Sequence, residues 1–175
     1  MVTAIVSDLH LGTTSGADVA RGPAVRERLM EALAPADRVV LLGDALELRE
    51  RPAADVMELA RPLLEELGEV TAGRQLVIVP GNHDHHLIEP WLEQRSLAAA
   101  DPLELEQLGE PSGQAFEVLA AQAAAATVRF AYPGIWINDR VYATHGHYLD
   151  RHLTVPTIER IGVAAVERIL GVPGG

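Results

Sequence analysis

Three short apolar runs divide the first half of the chain. Residues 2–6, 38–42 and 76–79 are rich in Val, Ile and Leu, and each run is followed at once by Ser, Gly or Pro. Continuous apolar runs of this length predict buried strands. Residues 23–34 and 53–67 are predicted as helices, and Gly68 is placed to cap the second of them. The order strand, helix, strand, helix, strand indicates an α/β domain with a largely parallel sheet.

The second half of the chain has a looser pattern. Helices are expected at residues 86–99, 113–126 and 156–170, with a polar stretch at 101–112. Strands are expected at residues 127–132 and 135–138, around a Pro133-Gly134 turn, and at 140–144, after a tight connection that begins at Asn138-Asp139. No internal repeat is visible. We therefore expect a single domain over residues 1–175, in which 86–127 and 148–175 are helical insert or cap segments.

The composition narrows the chemistry. The 175 residues carry a formal net charge of −11, they include no cysteine, and all 14 lysine-plus-arginine positions are arginine. Disulfides, thiolate metal sites, a cysteine nucleophile and a P-loop or Schiff-base lysine are therefore excluded. The acidic balance and an aromatic content of 4% argue against a nucleic-acid partner. No apolar stretch approaches the roughly 18 residues that a membrane span needs, and no signal peptide follows Met1, so we expect a cytoplasmic protein.

Side chains that bind metals gather where the predicted strands end. The four segments that follow these strands are Asp8-Leu9-His10, Gly43-Asp44-Ala45-Leu46-Glu47, Gly81-Asn82-His83-Asp84 and His145-Gly146-His147. In an open α/β sheet, sites form just beyond the carboxyl ends of the strands. Each of the first three segments alone is also typical of a cap or a turn, which favours Asp, Asn and Gly. The four together, each at a strand end, favour a metal site.

The ligand types indicate which metals this site would hold. Asp, His and Asn without thiolates suit Mn, Fe, Zn, Ni or Co, and we favour Mn. Carboxylates crowded at one edge repel one another unless cations compensate, so we expect two divalent metal ions that share a carboxylate. Asp44, at the tip of the second strand, is placed to be that bridge.

The four segments resemble the motifs of the calcineurin-like metallophosphoesterase superfamily, and most closely those of its small bacterial and archaeal members. The second segment is similar to the motif GDxx[DE], the third matches GNH[DE], and the others are similar to its first motif and its later HGH. The resemblance covers essentially the whole chain. It implies an α/β fold in which a layered β-sandwich is flanked by helices, in the order αββα.

The resemblance also implies roles for the metal ligands. Asp8 and His10 would bind the first metal ion, and Asn82 and His145 the second. Asp44 would bind both ions. The implied reaction is attack of a metal-bridging hydroxide on a phosphomonoester or phosphodiester of a small phosphorylated substrate.

Two further residues are candidate catalytic groups by the same resemblance. His83 would not bind metal; it would orient the phosphoryl group or protonate the leaving oxygen. Glu47 stands where the family places the acidic partner of that histidine, which would hold its ring orientation. His85 is a candidate substrate contact, and a surface position at a helix start is the other interpretation of this residue.

The sequence departs from the family pattern at the closing element. The family normally ends its site with GHxH, whereas the residues after His147 include Asp150 and His152 but no GHxH. His147 is a candidate metal ligand, and Asp150 and His152 are candidate substitutes. A further explanation is that the first metal ion is weakly bound or absent, and the one that we favour is an incomplete C-terminus. Two other functions stay open. One is a catalytically impaired binding or scaffold domain, and the other is a dinuclear hydrolase that acts on non-phosphate bonds.

Overall fold

A computed structural model describes residues 1–98 and 102–149 of the chain. The chain divides into two compact units, Met1–His145 and Gly146–Gly175. In the second unit the described residues form the short 3-10 helix Gly146–Tyr148. The helix expected at 156–170 lies outside the described residues, as does almost all of the predicted cap segment 148–175. A single domain over 1–175 therefore stays a prediction.

Within its described residues, the first unit contains six strands and four α-helices. In chain order these elements are β1 (Thr3–Val6), α1 (Pro23–Leu33), β2 (Arg38–Leu42), α2 (Ala53–Val70), β3 (Gln75–Val79), α3 (Glu89–Leu97), β4 (Glu106–Gly109), α4 (Gln114–Gln122), β5 (Thr127–Trp136) and β6 (Tyr142–Thr144). The predicted α/β class is confirmed. None of the helices in residues 1–98 and 102–149 combines the length and the apolar character that crossing a bilayer requires.

The six-stranded sheet has the strand order β1-β2-β3-β5-β4, and β6 pairs with the last residues of β5. It is parallel except where β4 and β6 pair with β5. Strands β1, β2, β3 and β5 pair in parallel, whereas β4 is antiparallel to β5. Parallel neighbours need crossover connections, and the helices between the strands supply them. Because these strands share one direction, the segments that follow β1, β2 and β3 meet at one edge of the sheet.

The central strands are buried on both faces. Val39 and Ile78 belong to the large core cluster that the sheet forms with helices α1, α2 and α4. Their neighbours in sequence, Val40 and Val77, point to the opposite face and cluster with Ile135 of β5. Burial on both faces explains why these strands are continuous apolar runs rather than alternating ones.

Strand β5 corrects the prediction of two strands around a Pro133-Gly134 turn. It is one continuous strand, because its first part pairs with β3 and β4 and its last residues, 134–136, pair with β6. The chain reverses later, at Asn138, whose Oδ1 accepts the N–H groups of Arg140 at 2.9 Å and Val141 at 3.0 Å. The hairpin returns along β6 and so delivers His145 directly after this strand.

Two other expectations are corrected. Strand β4 lies inside the stretch 101–112 that was predicted as polar, and it pairs at the sheet edge, where few of its residues need to be apolar. Helix α2 runs on to Val70, so Gly68 does not cap it. A Cβ on Gly68 would lie 2.8 Å from Cα of Ala123, so this glycine allows α2 to pack closely against the end of α4.

Candidate metal centre

The loops after β1 and β2 are joined by backbone hydrogen bonds that hold the site together. The N–H of Asp8 donates to the carbonyl of Gly43 at 3.1 Å, and the N–H of His10 donates to the carbonyl of Asp44 at 2.8 Å. Asp8, His10 and Asp44 have φ values of 56°, 43° and 52°. Left-handed backbone of this kind costs non-glycine residues about 1 kcal/mol or more each, and it persists where the surrounding structure enforces it. All three of these residues were predicted metal ligands.

Asp8, Asp44 and His145 form a first group of metal-binding side chains, here called the Asp44 cluster. Nε2 of His145 lies 3.6 Å from Oδ1 of Asp8 and 3.5 Å from Oδ2 of Asp44. Tetrahedral ions such as zinc bind nitrogen and oxygen at about 2.0–2.1 Å, which places two ligands of one ion about 3.4 Å apart. The observed spacing therefore fits a divalent cation held by His145 and Asp44, with Oδ1 of Asp8 close enough to serve a neighbouring ion that shares Asp44.

The carboxylate of Asp44 also faces the histidine of the first segment. Nε2 of His10 lies 3.8 Å from Oδ2 of Asp44 and 4.0 Å from Oδ1 of Asp8. Asp44 is only 4% exposed. A carboxylate buried to this extent needs a compensating partner. A divalent cation bound beside Nε2 of His10 and Nε2 of His145 would supply it.

His10, Glu47 and His83 form a second group, here called the Glu47 cluster. Oε2 of Glu47 lies 2.6 Å from Nδ1 of His83 and 3.4 Å from Nδ1 of His10. The two imidazole rings meet edge to face, with centroids 4.7 Å apart. The shorter distance is that of a hydrogen bond and is too close for two ligands of one ion. Glu47 therefore holds His83, and with it His10, by Nδ1, which leaves Nε2 of each ring for other partners.

Two glycines allow the loops to approach this closely. Gly43 has a φ of 79°, and a Cβ there would overlap the imidazole ring of His145. A Cβ on Gly81 would overlap Oδ1 of Asp44. Glycine at these two positions of the motifs is thus required by the packing of two candidate ligands.

Asp84 is a residue of the site to which the sequence analysis assigned no role. Its carboxylate is completely buried and accepts the N–H groups of Gly81 at 2.6 Å and of Ala45 at 2.8 Å. Burial raises the pKa of Asp84 to about 6, against the opposing effect of these hydrogen bonds. The available signal was its position as the fourth residue of the segment Gly81-Asn82-His83-Asp84.

The structure places the other predicted site residues as follows. Asn82 is half-buried, directly before His83 on the same turn. His85 lies outside both clusters, with Nδ1 3.6 Å from Oε1 of Glu89. His147 lies in the second unit, on its 3-10 helix, where its ring packs against Tyr148. The roles of Asn82, His85 and His147 stay predictions.

Asp150 and His152 lie outside the described residues. Their suggested part in completing the site is therefore also still a prediction.

Comparison with known families agrees with the geometry of the two clusters. The family model for the calcineurin-like phosphoesterases matches residues 1–169. The chain belongs to the calcineurin-like phosphoesterase family. A search of curated proteins finds no match. The predicted resemblance is thus confirmed. Membership supports a metal-dependent phosphoesterase class, for which the Asp44 cluster and His10 offer metal-binding side chains.

Proposed function

We propose that the chain hydrolyses a phosphomonoester or phosphodiester of a small substrate with the help of two divalent metal ions, Mn²⁺ being the favoured one. The observation that carries the proposal is the position of Asp44. Its Oδ2 lies within 4 Å of two imidazole nitrogens, Nε2 of His10 and Nε2 of His145. A carboxylate oxygen between two nitrogen ligands is suited to bridge two ions.

The donor set fits such ions. Carboxylate oxygens and imidazole nitrogens without thiolates are suited to Mn²⁺, Fe²⁺, Zn²⁺, Ni²⁺ and Co²⁺. Asp8 and His10 would hold one ion, Asn82 and His145 the other, and Asp44 both. When bound, the pair of ions would polarise the phosphoryl group and lower the pKa of a coordinated water.

His83 and Glu47 would serve the substrate rather than the metals. The carboxylate of Glu47 is 2% exposed and engages Nδ1 of His83, so Nε2 is the nitrogen that remains for the substrate. From there it could donate a hydrogen bond to a phosphoryl oxygen or a proton to the leaving oxygen. Glu47 fixes the ring and stabilises the imidazolium cation through a charge-assisted hydrogen bond.

The test is hydrolysis of p-nitrophenyl phosphate and bis(p-nitrophenyl) phosphate by the purified chain, with and without Mn²⁺. We expect turnover that requires the metal and that Asp44→Asn and Asn82→Ala each reduce by about 100-fold or more. Asp139→Asn is the matched control, because Asp139 lies in an exposed turn of the β5–β6 hairpin with a side chain that is 84% exposed. Turnover that is indifferent to Asp44→Asn would contradict the proposal.

Measuring bound Mn²⁺ and adding p-nitrophenyl acetate as a substrate would separate the two alternatives. Mn²⁺ binding without hydrolysis of any phosphoester would support a binding or scaffold domain. Hydrolysis of carboxylic esters in place of phosphoesters would support a dinuclear hydrolase of another substrate class.

A further inference from the structure

Asp84 is a fully buried carboxylate that belongs to neither cluster, yet it contacts the loops that carry both. Its Oδ1 accepts the N–H groups of Gly81 at 2.6 Å and Asp44 at 3.3 Å. Its Oδ2 accepts those of Ala45 at 2.8 Å and Leu46 at 3.3 Å. Both oxygens are therefore engaged by backbone donors, which makes Asp84 a poor candidate for a metal ligand.

Hydrogen bonds also run in the opposite direction, from the loop after β3 to the loop after β2. Asp84 accepts from three consecutive residues of the loop after β2, and in that loop Oδ1 of Asp44 accepts the N–H of His83 at 2.8 Å. The carbonyl of His83 also accepts the N–H of Leu48 at 3.1 Å. The loop after β2 and the loop after β3 thus exchange hydrogen bonds through two aspartates, one in each loop.

The N–H groups of Asp44, Ala45 and Leu46 are buried and need an acceptor where the Asp84 carboxylate lies. Asp44 has a φ of 52°, and such left-handed backbone turns successive N–H groups inward to form an anion-binding concavity. Here the concavity is filled by the protein's own carboxylate. Without it, buried donors would lose their partners, and the loop would relax towards more common backbone angles.

We propose that Asp84 is a positioning residue for the reaction proposed above: it holds the backbone of Asp44 so that the Asp44 carboxylate points between His10 and His145. The inference rests on the proposed function for its catalytic consequence. The hydrogen bonds that carry it belong to the protein itself, so they can be tested without metal.

The first measurement uses metal-free protein and amide hydrogen exchange by NMR. In the wild type we expect the N–H groups of Asp44, Ala45 and Leu46 to exchange slowly, and in Asp84→Asn to lose protection by about 10-fold or more. Asn has the same shape, but it replaces one acceptor oxygen by a donor. Fast exchange of these amides in the wild type, or unchanged protection in Asp84→Asn, would overturn the inference even if the protein is an active phosphoesterase.

The second measurement compares Mn²⁺ binding and spin coupling by electron paramagnetic resonance. We expect Asp84→Asn to bind the second Mn²⁺ about 10- to 100-fold more weakly and to lose the exchange-coupled signal of a Mn²⁺ pair, and kcat to fall more than KM changes. Asp84→Glu, which keeps the charge and both oxygens, should restore part of the coupled signal.

A destabilised variant serves as the control. Leu119→Ala truncates a fully buried side chain of α4 that belongs to neither cluster and donates no hydrogen bond to Asp84, and should lower stability while keeping the coupled Mn²⁺ signal. If Asp84→Asn keeps the coupled signal as Leu119→Ala does, Asp84 is structural only and the inference is wrong. If the wild type binds no Mn²⁺ pair but shows the protected amides, the proposed function fails and the loop contact stands.

Discussion

Replacing Glu47 with Gln removes a negative charge while keeping the size of the side chain. Glu47 is 2% exposed, and its Oε2 lies 2.6 Å from Nδ1 of His83. A hydrogen bond to a charged group contributes about 1.5–3 kcal/mol. If this bond stabilises the imidazolium cation in the transition state, kcat should fall about 10- to 150-fold, since 1.36 kcal/mol corresponds to a factor of ten.

The assay is Mn²⁺-dependent hydrolysis of two substrates that differ in their leaving group. p-Nitrophenolate leaves with little help from an acid, whereas phenolate needs protonation. Glu47→Gln should therefore reduce kcat more for phenyl phosphate than for p-nitrophenyl phosphate. In a His83→Asn background the same substitution should change kcat by less than about threefold, because the partner of the charge is gone.

The double-mutant cycle also shows how this reasoning could fail. Nδ1 of His10 lies 3.4 Å from Oε2 of Glu47, so a second path from Glu47 leads to a candidate metal ligand. If Glu47→Gln costs as much with Asn at position 83 as with His, and Mn²⁺ affinity falls in parallel, Glu47 acts through the metals. The proposed partnership with His83 would then be refuted.

Three further expectations follow from the structure. Gly43→Ala should lower the melting temperature and the Mn²⁺ affinity more than Gly73→Ala does. Both glycines have a positive φ, but only a Cβ on Gly43 would overlap a neighbour, the ring of the candidate ligand His145. Equal effects of the two substitutions would show that backbone strain alone matters. Gly68→Ala should lower the melting temperature despite the higher helix propensity of Ala, and a raised melting temperature would mean that α2 and α4 are less closely packed than described. Burial raises the pKa of Asp84 from 3.8 to about 6, so between these pH values the folded metal-free protein binds more protons than the unfolded chain. The free energy of unfolding, compared with that of Asp84→Asn, should therefore fall by at most about 3 kcal/mol as pH rises through this window. If urea denaturation shows this free energy rising instead, the sign of the effect is wrong.

The sequence predicted best the strands that are buried along most of their length. Strands β2 and β3 are covered on both faces, so their apolar runs mark them nearly to the residue. Strand β4 was missed because it is an edge strand of only four residues, EQLG, with one neighbour and little burial. The continuity of β5 was also missed, since Pro133 and Gly134 favour a turn locally while pairing with β4 and β6 keeps the backbone extended.

Some features of the candidate site could be predicted from the sequence and others could not. The sequence placed Asp8, His10, Asp44 and His145 at strand ends, and a parallel sheet necessarily brings the first three together. The approach of His145 depends on the hairpin that precedes it, which no periodicity encodes. Asp84 is bound by four backbone N–H groups. Nearly every residue carries such a group, so the amino-acid sequence does not show which of them will meet a carboxylate.

The most direct test of the central claim is the Mn²⁺ content of the purified chain after equilibrium dialysis, measured by elemental analysis alongside the hydrolysis of p-nitrophenyl phosphate. We expect two Mn²⁺ ions per chain and metal-dependent turnover in the wild type and in Asp139→Asn, with both the stoichiometry and the turnover reduced in Asp44→Asn. A wild-type chain that binds no Mn²⁺, or an Asp44→Asn variant with the same metal content and turnover as the wild type, would contradict a two-metal phosphoesterase centred on Asp44.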